Sequence, residues 1–171
     1  GPEAFDAFAR KAEETGLERI WASDHLILPP LQTSSYHTHP AGQMPDVWKA
    51  RYYQPFSVLN FLAARTTKAR LGTSVVIVPM RNPIELAAQV TELDQMSGGR
   101  FDFGVGVGWY REEFEALGYD FTNRGKRMDE ILGALQALWT EETPEFSGEF
   151  YQYSGLKFSP KPLQTPYPPL L

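Results

Sequence analysis

The chain has no cysteine. Disulfides, thiolate nucleophiles and cysteine-ligated zinc or iron–sulfur centres are therefore excluded. It also lacks any apolar run near the roughly 20 residues that a membrane span needs, and no secretory pattern opens it. A membrane is not an expected partner, and a cytoplasmic location is expected. Basic residues are not massed anywhere. Lys and Arg number 16 against 21 Asp and Glu, a net charge of −5, so nucleic acid is not an expected partner either. The motifs GxSxG, GxxxxGK, HExxH and CxxC are all missing, which leaves serine-hydrolase, nucleotidase and zinc-peptidase chemistry without support.

What is present is an ordinary globular composition in 171 residues, 42% apolar and 22% charged, enough for one domain with a sizeable core. Residues 2–14 read as a helix with Phe5, Phe8, Ala9 and Ala12 at the helical period. Residues 17–22 are short, apolar and aromatic, the texture of a strand. A long polar stretch, 28–54, follows; loops of that length inside a domain are usually functional. Residues 55–67 are helical again, with Leu59, Leu62, Ala63 and Thr66 on one face.

The run LGTSVVIVP in 70–79 predicts a parallel strand buried on both faces. Asn82-Pro83 opens a helix, with Asn82 as N-cap and Glu85 at the capping-box position, and Gly98-Gly99 ends it. Residues 100–107 form a third strand, 111–117 a short helix and 123–139 a longer one. Residues 146–158 alternate as a hairpin, and a proline-rich tail closes the chain. Strict alternation of helix and strand predicts a parallel α/β sheet. The expected organisation is one domain over 1–171, with 28–54 as an active-site loop and 144–171 as a hairpin insertion and tail.

Function in parallel α/β folds collects at the carboxyl ends of the strands. The first such end presents Asp24 and His25. Histidine exchanges protons near neutral pH, so the pair reads as a proton carrier with its carboxylate, or as a turn with a backbone-bonded imidazole. Neighbouring strand residues point to opposite sides, so the two are not expected to touch. The second end presents Val78, Pro79, Met80 and Arg81; the third presents Gly106, Val107, Gly108, Trp109 and Tyr110. Gly104, Gly106 and Gly108 form GxGxG, which is not the dinucleotide fingerprint. These glycines admit a flat ring or relieve crowding between strands. Trp109 and Tyr110 either stack on a ring or pack at the mouth of the sheet. His37 and His39 read as loop histidines, and no metal site is expected. Arg124, Lys126 and Arg127 read as a solvated face or a phosphate contact.

Three segments taken in order carry a resemblance: ERIWASDHL, then RLGTSVVIVPMRNPIELAAQVTELDQMSGGRFDFGVGVGWYREEFEALG, then NRGKRMDEIL. Together they resemble luciferase-like monooxygenases, most of all the probable deazaflavin (coenzyme F-420)-dependent oxidoreductases. The resemblance implies a (β/α)8 TIM barrel, of which this chain resembles about strands two to four with their helices. It implies an oxidoreductase or monooxygenase that uses coenzyme F-420, with FMN as the alternative, on a small organic substrate. It implies His25 as an active-site residue with Asp24 at the cofactor edge. It places Ser74-Val75 at a bulge with a non-prolyl cis peptide that backs the ring, and Gly106, Val107, Gly108 and Trp109 beside it. Trp109 stands where a glucose-6-phosphate-oxidising relative has a catalytic glutamate, so that activity is not expected. An incomplete barrel leaves edges to cover, so self-association or a homo-oligomer is expected. A non-catalytic barrel fragment, serving as a subunit or needing a partner, is the alternative.

Overall fold

Apolar side chains spaced at the helical period need a sheet to cover, and here three helices share one. In the computed structural model, which describes residues 1–28, 32–36, 40–44 and 52–171, the chain begins with α1 (Pro2–Thr15) and β1 (Arg19–Ala22). Then come α2 (Pro55–Ala63), β2 (Arg70–Thr73), β3 (Val76–Ile77), a 3-10 turn (Val78–Met80) and α3 (Pro83–Ser97). β4 (Phe101–Asp102), β5 (Val105–Gly106), α4 (Arg111–Ala116), α5 (Arg124–Thr140), β6 (Phe146–Ser147) and β7 (Gln152–Tyr153) complete it.

β1, β2 and β4 are hydrogen-bonded in that order, all parallel, with Ile20 beside Leu71 and Leu71 beside Phe101. β3 and β5 continue the pairing beyond, also parallel, with Val76 beside Val105. The expected alternation of helix and parallel strand is therefore present. Two of the expected strands are each broken in two. The 70–79 run divides at Ser74-Val75, whose peptide is cis. The 100–107 run divides at Phe103-Gly104, where the backbone turns to a new partner. Phe103 N donates to Pro169 O at 2.8 Å and Leu171 N donates to Phe103 O at 3.1 Å, so the tail's last residues lie parallel along the sheet.

The core lies between this sheet and the helices. Leu59 and Leu62 of α2, Leu86, Val90 and Leu93 of α3, and Ile131, Leu135 and Leu138 of α5 meet Leu71, Phe101 and Phe103. All are buried, as their spacing in the sequence implies. Asn82 caps α3 as expected, its side-chain oxygen accepting from Ile84 N at 2.9 Å. Two expectations differ in detail. α2 stops at Ala63, short of the expected Thr67, and the guanidinium of Arg100 donates to the carbonyls of Ala63 and Thr66 at its end. Phe8 of α1 is 47% exposed, while Ala9 and Ala12 are the residues that face inward. The 146–158 hairpin is formed by β6 and β7, antiparallel. Among the described residues no helix is long and apolar enough to cross a membrane.

Candidate active site

Because the strands are parallel, their carboxyl ends share one rim. A cavity of about 640 Å³ opens there, lined by Ser23, Asp24, His25, Ser74, Val75, Ile77 and Trp109 from the strand ends. Tyr36, Met44 and Tyr52 from the 28–54 stretch complete it. His37 and His39 fall outside the described residues.

Asp24 and His25 diverge, as adjacent extended residues should, and each has its own partner. Asp24 accepts from the Arg81 guanidinium at 2.7 and 2.8 Å and from the Ile77 backbone N–H at 3.0 Å. Its side chain is 0% exposed and that of Arg81 is 10% exposed. Desolvated charges hold such a position only when paired. The ion pair ties the end of β1 to β3 and the 3-10 turn, and it sets the floor of the cavity.

His25 points the other way. Its Nδ1 lies 2.9 Å from Oε2 of Glu113, a residue of α4 that is 1% exposed. The second oxygen of Glu113 accepts from the backbone N–H groups of Leu26 at 2.5 Å and Ile27 at 3.2 Å. One carboxylate thus fixes both the imidazole and the chain that follows it. Tyr52 meets the ring edge-on with centroids 4.9 Å apart, and Trp109 stands 6.4 Å away, stacked on Tyr110 at 4.7 Å. Tyr36 packs against Trp109, centroids 5.0 Å apart. The histidine therefore sits in an aromatic enclosure. Burial above all, and then the charge of Tyr36, push the Tyr52 hydroxyl above the usual tyrosine range, against a hydrogen bond with Ser23. Burial, then Glu112 and Glu113, push Tyr110 up as well.

The three glycines of GxGxG face other strands. A side chain at Gly104 would run into the Thr73 carbonyl oxygen, and one at Gly106 into Val75. Gly108, at φ 80°, brings the backbone against Ile77 and Phe114, where an added Cβ would stand 2.7 Å from each. Thr73, Val75, Ile77 and Phe114 thus leave no room for a side chain at these positions. Gly106, Val107 and Gly108 do not line the cavity, whereas Ser74, Val75 and Trp109 do. Arg124 stacks on Phe121 at 3.8 Å and donates to the Gly108 carbonyl at 3.1 Å, so it secures the turn after β5.

Glu112 and Glu113 escape a reading of the sequence alone. Acidic residues in a first helical turn are ordinarily explained by the helix dipole, and nothing local marks their partners 78 to 88 residues away. Glu112 receives the hydroxyls of Thr33 at 2.6 Å and Ser34 at 2.5 Å, and the backbone N–H of Ser34 at 2.8 Å. The backbone N–H of Thr33 also donates to it. Burial opposes its charge, but the Ser34 and Thr33 hydrogen bonds hold its carboxyl at about 2, below the usual 4.5. A folded-state value below the unfolded one means that this clasp contributes fully above 4.5 and is lost as pH falls toward about 2. Protection of the Ser34 amide from hydrogen exchange, relative to the free-chain rate at each pH, is therefore expected to hold above pH 4.5 and to decline progressively between 4.5 and about 2. Glu112→Ala should accelerate it by about 10- to 100-fold at neutral pH, the worth of a charge-assisted bond. Exchange unchanged in that variant would deny Glu112 the role of clasp.

Comparison with known proteins bears on the whole chain. The family model for the luciferase-like monooxygenase matches residues 1–171. An uncharacterized protein of Mycobacterium tuberculosis is 33% identical over 96% of this chain and 58% of its own length. The oxygenase component of a flavin-dependent trigonelline monooxygenase from Acinetobacter baylyi is 34% identical over 75% of this chain and 38% of its own. The crystal structure of monooxygenase RslO1 from Streptomyces bottropensis superposes with a TM-score of 0.80 at 27% identity, covering 99% of this chain and 46% of that one. The chain thus spans about half the length of the proteins it matches, and its sheet corresponds to part of a (β/α)8 barrel of TIM type.

Proposed function

The chain belongs to the luciferase-like monooxygenase family, and on that premise we propose that the protein is a flavin- or deazaflavin-dependent oxidoreductase in which His25 carries the coupled proton. The observation that supports this best is the cavity itself. At about 640 Å³ it falls within the roughly 300–1,000 Å³ typical of small-molecule sites. Val75 and Ile77 give it an apolar wall against which a flat ring can lie, and the Ser74-Val75 backbone offers polar groups beside it. A bound flavin or deazaflavin supplies the two-electron chemistry, as cofactors do.

The chain's own residues do the rest. His25 presents its Nε2 edge to the cavity and donates or accepts the proton that accompanies the two-electron change at the substrate. Asp24, with Arg81, holds the floor; its oxygens are already engaged, so its part in binding and turnover is to fix the cofactor edge. Gly106 and Gly108 act from behind the lining, their backbone set close against Val75 and Ile77, and Val107 between them is partly exposed beside the rim. Trp109, Tyr36 and Tyr52 bound the substrate side, and Thr33 and Ser34, clasped by Glu112, hold their part of the chain beside it, which shields a small organic substrate from water.

The flavin dependence of a relative at 34% identity favours a flavin, for which FMN is the candidate, and coenzyme F-420 is the alternative. Titrating the protein with each reduced cofactor while following oxygen uptake separates them. Uptake with FMN alone marks a monooxygenase; binding of coenzyme F-420 without uptake marks a dehydrogenase or reductase. A second reading, a non-catalytic barrel piece that self-associates or takes a partner, draws on the exposed apolar side chains of Phe8, Leu17 and Trp21 along α1 and β1. Failure of both cofactors to bind would leave that second reading standing.

A further inference from the structure

We propose that Glu113 is the positioning residue that sets the tautomer of His25, and with it the direction in which the cavity-facing nitrogen can move a proton. The inference rests on the reading of His25 as proton carrier, and deepens it. A carboxylate accepts hydrogen bonds and cannot donate them. The contact between His25 Nδ1 and Glu113 Oε2 at 2.9 Å therefore places the imidazole proton on Nδ1. In the neutral ring Nε2 is then bare, and its lone pair is directed away from Glu113 into the enclosure of Tyr52 and Trp109. The ring is poised as an acceptor, and becomes a donor only after it has taken a proton from that side.

Glu113 is itself well held. Its Oε1 accepts from the N–H groups of Leu26 and Ile27, so the carboxylate cannot rotate without giving up both. It is almost fully buried and stands in the first turn of α4, where the backbone dipole favours negative charge. Its hydrogen bonds reach three consecutive residues of the segment leaving β1, which makes the ring orientation part of the backbone conformation there.

The same geometry dictates the outcome of an isosteric change. In Glu113→Gln the side-chain oxygen must stay with Leu26 and Ile27, because an amide NH2 cannot accept from two N–H donors. The NH2 is thereby turned toward His25 Nδ1. A donor facing Nδ1 forces that nitrogen to accept, so the imidazole proton moves to Nε2. The variant keeps its backbone hydrogen bonds and its shape, yet presents the opposite tautomer to the cavity.

Nitrogen-15 long-range correlation spectra of histidine-labelled protein at alkaline pH read this directly. The chain has three histidines, and comparison with His25→Asn assigns the signals of His25. The expected result is a protonated Nδ1 and a bare Nε2 in the unsubstituted protein, exchanged in Glu113→Gln. Turnover in that variant should fall about 100-fold, the lower range for loss of general acid–base catalysis. A native ring protonated on Nε2 overturns the proposal, and needs no variant to fold. An unchanged tautomer in Glu113→Gln overturns it too. If the tautomer exchanges as expected while His25→Ala keeps full turnover, the role of His25 as proton carrier fails and the assignment of Glu113 stands.

Discussion

Turnover is expected to fall by about 10²- to 10⁴-fold when His25 is replaced by alanine, with little change in flavin affinity. His25 is the proton carrier proposed for the cavity wall, which it lines beside Asp24 and Tyr52. Asp24 is committed to Arg81 and Ile77, and burial keeps Tyr52 protonated. Removing the imidazole deletes the proton path but leaves Ser74, Val75 and Ile77 in place. Binding surface is preserved while the barrier rises by roughly 3–5 kcal/mol, at 1.36 kcal/mol per tenfold. A loss confined to the maximal rate, with the flavin dissociation constant held, is the signature to look for. Steady-state kinetics beside a fluorescence titration of flavin provide both numbers. Equal turnover in the variant would remove His25 from the reaction.

Asp24→Ala should cost about 3–5 kcal/mol of stability, because it leaves the Arg81 guanidinium buried without its counter-charge. The pair is worth little as a net attraction, since both charges lost their hydration on folding. Its removal from one side is expensive for the same reason. Three connections go at once: two contacts with Arg81 and the bond from the Ile77 N–H. Arg81 is left with the weaker contact to Gln54 at 3.3 Å, and its Nε already lacks a partner. Asp24→Asn keeps the acceptor for Ile77 and should cost less. Urea unfolding of the two variants measures the difference. A cost below about 1 kcal/mol for Asp24→Ala would mean that Arg81 finds solvent easily, and that the cavity floor does not depend on this pair. Both variants are also expected to lose flavin affinity, which would distinguish Asp24 from His25.

The residues that make these predictions possible were legible to different degrees. The helices, their inward faces apart from Phe8 of α1, and the Asn82 cap followed from periodicity and from the chemistry of helix ends, because those depend on neighbours within four residues. The parallel order of the strands followed from their alternation with helices, and with it the common rim that gathers Asp24, His25, Ser74, Val75 and Trp109. The break at Ser74-Val75 came from resemblance to a family; the pattern of LGTSVVIVP alone reads as one unbroken strand. For GxGxG the sequence left two readings open, and the close approach of Thr73 and Val75 fits the relief of crowding between strands.

What the sequence by itself determined is therefore the set of elements, the family and the sheet edge at which the cavity opens. What only the tertiary structure decided is pairing: Asp24 with Arg81, His25 with Glu113, Thr33 and Ser34 with Glu112. The reason is physical. Local preference is written within a turn or two of chain, but a buried charge is satisfied by whichever group the fold brings within hydrogen-bonding distance. That choice is made across 57 residues for Arg81 and 88 for Glu113.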